Sequence, residues 1–279
     1  MSELTVGYVK ALFRYPVKSM QGETVSSVEI GRSGVVGDRT YGLRLPNGRI
    51  ATAKRSPSLL RFHASSHANS SVSIQLPSGE RIDVHANDAS QRLSDALGKT
   101  VTIEQWNKEQ QNFGELDAKT IFADVPPEVA LEGKRRKLAP GTEEYDLAPG
   151  TFFDSAHLHI LTTGTLKHLG KLLQGQSNLD VHRFRPNILI ESAKILNGFV
   201  EDDWIDKQLL IGDVVIGEIW PTLRCVMMTL PQRDLPKDTK ILRTIVKRHA
   251  NHLGIFADAK TVGTIRLGDS VRLVSKALE

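Results

Sequence analysis

Short apolar stretches that stop at a turn and then resume leave this chain few folds outside the β-rich classes. Val72-Ser73-Ile74-Gln75-Leu76 alternates, breaks at Pro77-Ser78-Gly79-Glu80 and resumes at Arg81-Ile82-Asp83-Val84. Tyr41 to Leu45 and Arg49 to Thr52 flank Pro46-Asn47-Gly48, with the Asn-Gly pair that marks hairpin turns. Leu209-Leu210-Ile211 and Val214-Val215-Ile216 flank Gly212-Asp213, and Val262 to Ile265 and Val271 to Val274 lie on either side of Gly268-Asp269. Alternation of period two is what a strand with one buried face requires. Further strands are predicted at Val6–Val9 leading into Ala11–Ser19, and at Val101–Trp106, Leu158–Leu161 and Ile188–Ile190. Short strands at this spacing build a barrel or a sandwich.

Helical spacing appears in three places: Ala89–Leu97, Gly164–Gln174 (Leu166, Leu169, Leu172, Leu173) and Lys240–His252 (Ile241, Leu242, Ile245, Val246, with Leu253 beyond). The expected class is therefore mainly β with some α (α+β). Residues 107–150 are polar and carry Pro126-Pro127, a basic run Lys134–Lys137 and the pairs Pro140-Gly141 and Pro149-Gly150. They read as a connecting stretch between an N-terminal module over 1–125 and a second domain over 140–279. A chain of 279 residues is long enough for two cores.

Composition removes several function classes. A net charge of +4 is too small to imply nucleic acid, and no aromatic platform accompanies the basic run at Lys134–Lys137, which reads as a solvated loop. No apolar run is long enough to span a membrane. The N-terminus lacks a basic segment followed by an apolar one, so a cytoplasmic protein is expected. A single cysteine, Cys225, excludes an internal disulfide, a protein-held iron–sulfur cluster and a cysteine-rich zinc site. Any redox chemistry must enter through a bound or docked group.

Cys225 follows Arg224, and a neighbouring cation favours the thiolate, the form that attacks or ligates. Taken alone, a cysteine before Val-Met-Met is more often an inert core residue. Arginines also stand beside residues that interrupt strands, at Gly37-Asp38-Arg39 and Arg183-Phe184-Arg185-Pro186-Asn187, and Lys18-Ser19 follows Tyr15-Pro16-Val17. Such donors suit a phosphate or a polar heterocycle, although each is by itself more often a surface charge or a structural ion pair. The common nucleotide-binding glycine loops are absent. His157 and His159 share one strand face and do not form a helix-borne zinc pair; His249 and His252 read as a solvated helix face.

Seven pieces in order then carry a family resemblance: Tyr15-Pro16-Val17-Lys18-Ser19, Gly37-Asp38-Arg39, Arg49-Ile50-Ala51-Thr52-Ala53-Lys54, Phe184-Arg185-Pro186-Asn187, Ile211-Gly212-Asp213, Arg224-Cys225 and Gly263–Asp269. The string resembles MOSC proteins with an N-terminal β-barrel module, the group that includes the mitochondrial amidoxime-reducing component. The resemblance implies an N-terminal β-barrel-like module, a C-terminal MOSC β-barrel domain and a molybdenum cofactor (Mo-molybdopterin) at their junction. Cys225 corresponds to the family's thiolate ligand to molybdenum. Lys18, Ser19, Arg39, Arg185 and Arg224 correspond to residues that bind the pterin and its phosphate. Asn187, Thr162 and Thr163 fall where the family places polar cofactor contacts.

The activity so implied is reduction of small N-hydroxylated or N-oxygenated compounds, taking two electrons and two protons. The electrons would come from a separate donor protein, cytochrome b5-like or ferredoxin/flavoprotein-like, since this chain has no cysteines for a cluster of its own. Asp154 is a candidate catalytic group on the substrate side. Two rival readings are a sulfur-transfer protein with a persulfide on Cys225, and a non-catalytic carrier of the cofactor.

Overall fold

A computed structural model describes residues 3–67, 71–115, 144–147, 151–193 and 197–274. The basic run Lys134–Lys137 and the Pro-containing pairs of the connecting stretch lie outside the described residues. In chain order the first half holds β1 (Glu3–Arg14), β2 (Glu23–Val25), β3 (Ser27–Gly31), β4 (Gly34–Val35), β5 (Tyr41–Arg44), β6 (His63–Ser66), β7 (Val72–Gln75), β8 (Arg81–Asp83), α1 (Ala89–Leu97), β9 (Thr102–Gln105), β10 (Phe113–Glu115) and β11 (Glu144–Asp146). The second half holds β12 (Leu158–Thr162), α2 (Thr163–Leu172), β13 (Ile188–Ser192), β14 (Gln208–Ile211), β15 (Val214–Leu223), α3 (Thr239–His249), β16 (His252–Ala259), β17 (Gly263–Arg266) and β18 (Ser270–Val274).

Seven strands close into a barrel in the order β13-β12-β16-β15-β14-β18-β1, with β1 returning to pair with β13. β12 and β13 run parallel, Ile160 opposite Ile188, and α2 makes the crossover that a parallel pair needs. β1 comes from the other end of the chain. Its long apolar alternation serves two neighbours, β13 and β18, through register shifts at Thr5/Gly7 and Val9/Ala11. Leu12, Ile160, Ile188, Ile190, Ile216 and Ile255 fill the barrel. The β-rich first module packs a separate core around Met20, Leu43, Leu60, Phe62, Ile74 and Leu93. A mainly β, α+β chain with a closed barrel and a separate β-rich module is thus what the structure shows.

The β7–β8 and β14–β15 hairpins form as the alternation predicts. The Asn-Gly hairpin closes too, Leu45 N donating to Arg49 O and Ala51 N to Leu43 O (both 2.8 Å), although its second arm is held by a single bridge and β5 also pairs with β9. Two segments differ. The strands flanking Gly268-Asp269 part company: β17 joins β3, whereas β18 enters the barrel. The last helix stops at His249, where Ala250 and Asn251 turn left-handed (φ 41° and 63°), and His252 opens β16. No glycine marks that stop, which hid the barrel strand behind it. The polar stretch also contains the β10–β11 pair.

Candidate functional site

The segment after β15 fixes the position of the only cysteine. Val226 and Leu230 pack into the core of the first module. Met228, between them, packs into the core beneath α3 with Ile241, Leu242 and Ile245. A single 3-10 turn, Val226–Thr229, is therefore pinned in two cores at once, and half-buried Cys225 stands at its N-terminal end. Val226 and Met228 are core, Met227 packs against it half-buried, and the cysteine itself is outside it.

Lysines gather beside it. Lys18, 5% exposed, donates from Nζ to Phe152 O at 2.7 Å and forms an ion pair with Asp154. Lys54 Nζ reaches Asp154 Oδ2 at 3.0 Å and lies 4.0 Å from the centre of the Tyr145 ring. The Tyr145 hydroxyl donates to Asp154 Oδ1 at 2.6 Å. Burial alone would push the Asp154 pKa up; the charges of Lys18 and Lys54, with the hydrogen bonds from Lys18 and Tyr145, outweigh it and hold the carboxyl well below its usual range. With 44% of its side chain exposed, Asp154 is the solvent edge of this cluster. Burial, aided by the charge of Lys54, lowers Lys18 to about 8, while Asp154 opposes. Lys54 is raised: burial works against its charge, but Asp154, Tyr145 and Cys225 favour it. The Cys225 thiol thus lies within the electrostatic reach of Lys54.

Arginines form the adjoining wall. The guanidinium groups of Arg39 and Arg185 lie 4.5 and 4.3 Å from the centre of the buried Tyr15 ring. Arg39 pairs with Asp38, and Arg185 Nη1 donates to Met20 O at 2.7 Å. Asp38 also accepts from Tyr15 N (2.6 Å) and from Asn187 Nδ2 (2.9 Å). Burial lowers Arg185 to about 10, and the charge of Arg39 adds to this. Ser19, Arg39 and Arg185 all carry positive φ (66°, 48° and 56°). Backbone strain of this kind, held at three residues around one site, marks a place where geometry is being enforced. Ser19 Oγ accepts from Ala53 N at 3.1 Å, tying the Lys18 turn to the segment that carries Lys54.

Arg224 closes the third side. Its Nη2 donates to Phe184 O at 3.0 Å and its Nη1 meets His159 Nε2 at 3.3 Å. Its Nε is buried and has no hydrogen-bond partner. Burial lowers Arg224 to about 10, with Cys225 opposing.

Lys18, Ser19, Arg39, Asp154, Arg185, Asn187, Arg224 and Cys225 are linked through these contacts. Thr162 and Thr163 are engaged elsewhere: Thr162 Oγ1 accepts from Thr165 N at 3.1 Å and caps α2, and Thr163 Oγ1 accepts from Ser192 N at 3.3 Å. Lys54, Tyr145, Tyr15 and His159 were not singled out as site residues. Lys54 and Tyr15 lie inside the motif pieces, so a signal existed; Tyr145 sits in the polar stretch and had none.

Of five buried or largely buried cations, Lys18, Lys54, Arg39 and Arg185 share two carboxylates, Asp38 and Asp154, and Arg224 has none. Such an excess suits a dianionic ligand, and the partnerless Arg224 Nε supplies a free donor for it. The residues fit an anionic pterin cofactor. Among the described residues there is no group of three or more His, Cys, Asp or Glu side chains that could hold a metal. Also among the described residues, no helix is long and apolar enough to cross a membrane.

Comparison with known proteins agrees with this layout. Residues 6–125 match the MOSC N-terminal beta barrel domain and residues 148–272 the MOSC domain. Mitochondrial amidoxime reducing component 2 of Macaca fascicularis is 27% identical over 289 residues, covering 95% of this chain and 83% of that protein. Mitochondrial amidoxime-reducing component 1 of Homo sapiens is 26% identical over 304 residues, covering 97% and 84%. A molybdenum cofactor sulfurase of Arabidopsis thaliana is 22% identical over 249 residues, covering 80% of this chain and 29% of that protein. The mitochondrial names of the first two overturn the cytoplasmic expectation, which rested only on an N-terminal sequence without a leader pattern.

Proposed function

Since the chain belongs to the MOSC-domain family, with a MOSC N-terminal β-barrel domain ahead of the MOSC domain, we propose that it is a molybdenum-cofactor enzyme that reduces N-hydroxylated or related N-oxygenated compounds. The coarser statement, a redox or sulfur role linked to the molybdenum cofactor, rests on relatives of both kinds. The reductase reading is favoured because the amidoxime-reducing components match nearly the whole chain and are themselves covered over most of their length. The observation that carries it is the lone half-buried cysteine set against a cluster of buried cations too numerous for their carboxylates.

When bound, the molybdenum cofactor supplies the two-electron change that removes oxygen from nitrogen. Cys225 Sγ would be the protein's ligand to the metal. Lys18, Ser19, Arg39, Arg185, Asn187 and Arg224 would hold the anionic cofactor; Thr162 and Thr163 belong to the set on the resemblance alone. The reaction consumes two protons. Asp154, held ionised, accepts and orients rather than donates. Lys18, lowered to about 8, holds at Nζ a proton that it can release near neutral pH. Electrons would arrive from a separate donor protein, cytochrome b5-like or ferredoxin/flavoprotein-like, a reading supported by the likeness to the amidoxime-reducing components.

The test is molybdenum and pterin content per chain, for protein made in a host that synthesises the cofactor, beside Cys225→Ala. Near-stoichiometric molybdenum in the parent and a lost or altered metal signal in the variant support the reading. Folded parent without molybdenum sinks it. The sulfurase relative keeps one rival in view, and persulfide labelling of Cys225 in metal-free protein would then favour sulfur transfer.

A further inference from the structure

We propose that His159 is a positioning residue, a neutral strut that aims Arg224 and holds the Arg185 turn so that the two arginines present one rigid anion clamp. This rests on the cofactor reading above. His159 lies on β12, is 5% exposed, and faces the site although nothing in its sequence neighbourhood marks it out. Its Nε2 meets Arg224 Nη1 at 3.3 Å, and its Nδ1 meets the carbonyl oxygen of Arg185 at 3.3 Å. A guanidinium can only donate and a carbonyl can only accept. Together these two partners select one tautomer, in which Nδ1 carries the hydrogen and Nε2 offers its lone pair; the Leu253 carbonyl, a further acceptor beside the ring, is the competitor that Arg224 has to exclude.

The surroundings enforce the same state. Burial, then the charges of Arg224 and Arg39, outweigh the Arg185 and Leu253 carbonyls and hold the imidazole well below its usual pKa, so it stays uncharged between the two arginines. Its backbone is locked as well, since His159 N donates to Asn187 Oδ1 at 3.2 Å and His159 O accepts from Asn187 N at 2.8 Å. Phe256 on β16 packs edge-on at 5.5 Å. Gly254 on the same strand leaves room for the ring: a Cβ there would come within 3.0 Å of His159 Nε2 and 2.8 Å of Ile160 O, at φ +75°. The strut thus links β12, the strained Arg185 turn and the Arg224-Cys225 segment. An arginine held by a carbonyl on one nitrogen and by an imidazole on another keeps little freedom, and its Nε is left for the ligand.

The experiment measures molybdenum by elemental analysis, and pterin by fluorescence after oxidative release, in full-length parent, His159→Leu, His159→Gln and Gly254→Ala. Melting temperatures are taken alongside. His159→Leu keeps the bulk and removes both ring nitrogens; its retained cofactor is expected to fall about tenfold or more. Gln can restore an acceptor for Arg224, so His159→Gln should recover part of the loss. Gly254→Ala, whose added Cβ meets the Ile160 carbonyl as well as the ring at a left-handed φ, should lose cofactor as His159→Leu does and also melt lower. A His159→Leu chain that melts near the parent and keeps its full cofactor overturns the proposal, as does a His159→Gln chain no better than His159→Leu. Nitrogen NMR of the histidine rings, with His159→Gln to assign the signal, decides the placement with or without cofactor. The neutral Nδ1–H form at neutral pH is expected; the Nε2–H form or an imidazolium overturns it. A parent chain without cofactor defeats the function proposed above but leaves that reading of the tautomer standing on its own.

Discussion

Arg183 and Arg224 are both almost fully buried, yet they are held in opposite ways. Arg183 spends its nitrogens on main-chain carbonyls: Nε on Asn178 (2.9 Å), Nη1 on Met228 (3.2 Å) and Leu230 (3.5 Å), Nη2 on Pro236 (2.8 Å). It ties the turn after Cys225 to the segment leading into α3. Arg224 makes one carbonyl bond and one imidazole bond, keeps a buried Nε without a partner, and stands beside Cys225. Buried donors are almost always satisfied, because an unmade hydrogen bond costs about 1–3 kcal/mol. The difference separates a charge whose donors the fold satisfies from one with a donor left over, which is what the cofactor role proposed for Arg224 requires. Glu201 belongs with Arg183: buried, it accepts from Thr162 N at 2.6 Å and from the Thr165 hydroxyl, closing the start of α2.

The sharpest way to break this contrast is a matched pair of variants. Arg183→Met leaves four carbonyls without their donor and should cost about 2–4 kcal/mol in chemical denaturation. Arg224→Met removes a poorly satisfied, desolvated charge and should change metal-free stability by no more than about 1 kcal/mol, while cofactor content collapses. Equal stability losses would show that Arg224 is structural too. Glu201→Ala, which strands the Thr162 amide and the Thr165 hydroxyl, should cost about 1–3 kcal/mol and leave molybdenum content unchanged.

A smaller effect sharpens the boundary between the two regions. Thr162→Ala removes the α2 cap and should lower stability by about 1 kcal/mol; a loss of cofactor beyond that change would place the Thr162 hydroxyl in the site. The smallest effect concerns His249, far from a solvated helix face. It stacks on Phe199 at 3.6 Å, with Nδ1 bonded to His252 O (2.6 Å) and Nε2 to Asp202 (2.7 Å). Burial opposes its charge, but Asp202 and the His252 carbonyl outweigh it and raise its pKa above 6.5. The stabilisation is therefore present below the ordinary histidine range and fades as pH rises through the raised value. His249→Gln should lose less than about 1 kcal/mol, and thermal melts taken across that range should show its deficit shrinking as pH rises. A deficit that grows with pH would contradict the charged assignment.

Much of the architecture was legible because the β7–β8 and β14–β15 hairpins are local: their turns and alternation lie within one short stretch. The motif residues Lys18, Arg39, Arg185, Arg224 and Cys225 were legible as pieces of a family string. β16 was hidden because Ala250 and Asn251 end α3 without the glycine that usually signals such a stop. Tyr145 was hidden because its partners, Asp154 and Lys54, are supplied by other parts of the chain.

By itself the sequence determined the class, the two-part organisation and the one thiol that any metal would use, since alternation, turn chemistry and residue counts are properties of the chain alone. Only the tertiary structure decided which charges work together. Closure of the barrel by β1 brings Tyr15 and Met20 against Arg185, and pinning of the 225–230 segment between two cores sets Cys225 beside Lys54. Whether a buried cation is a strut or a binding group depends on how many of its donors the fold satisfies, and that is settled by contacts between residues far apart in sequence.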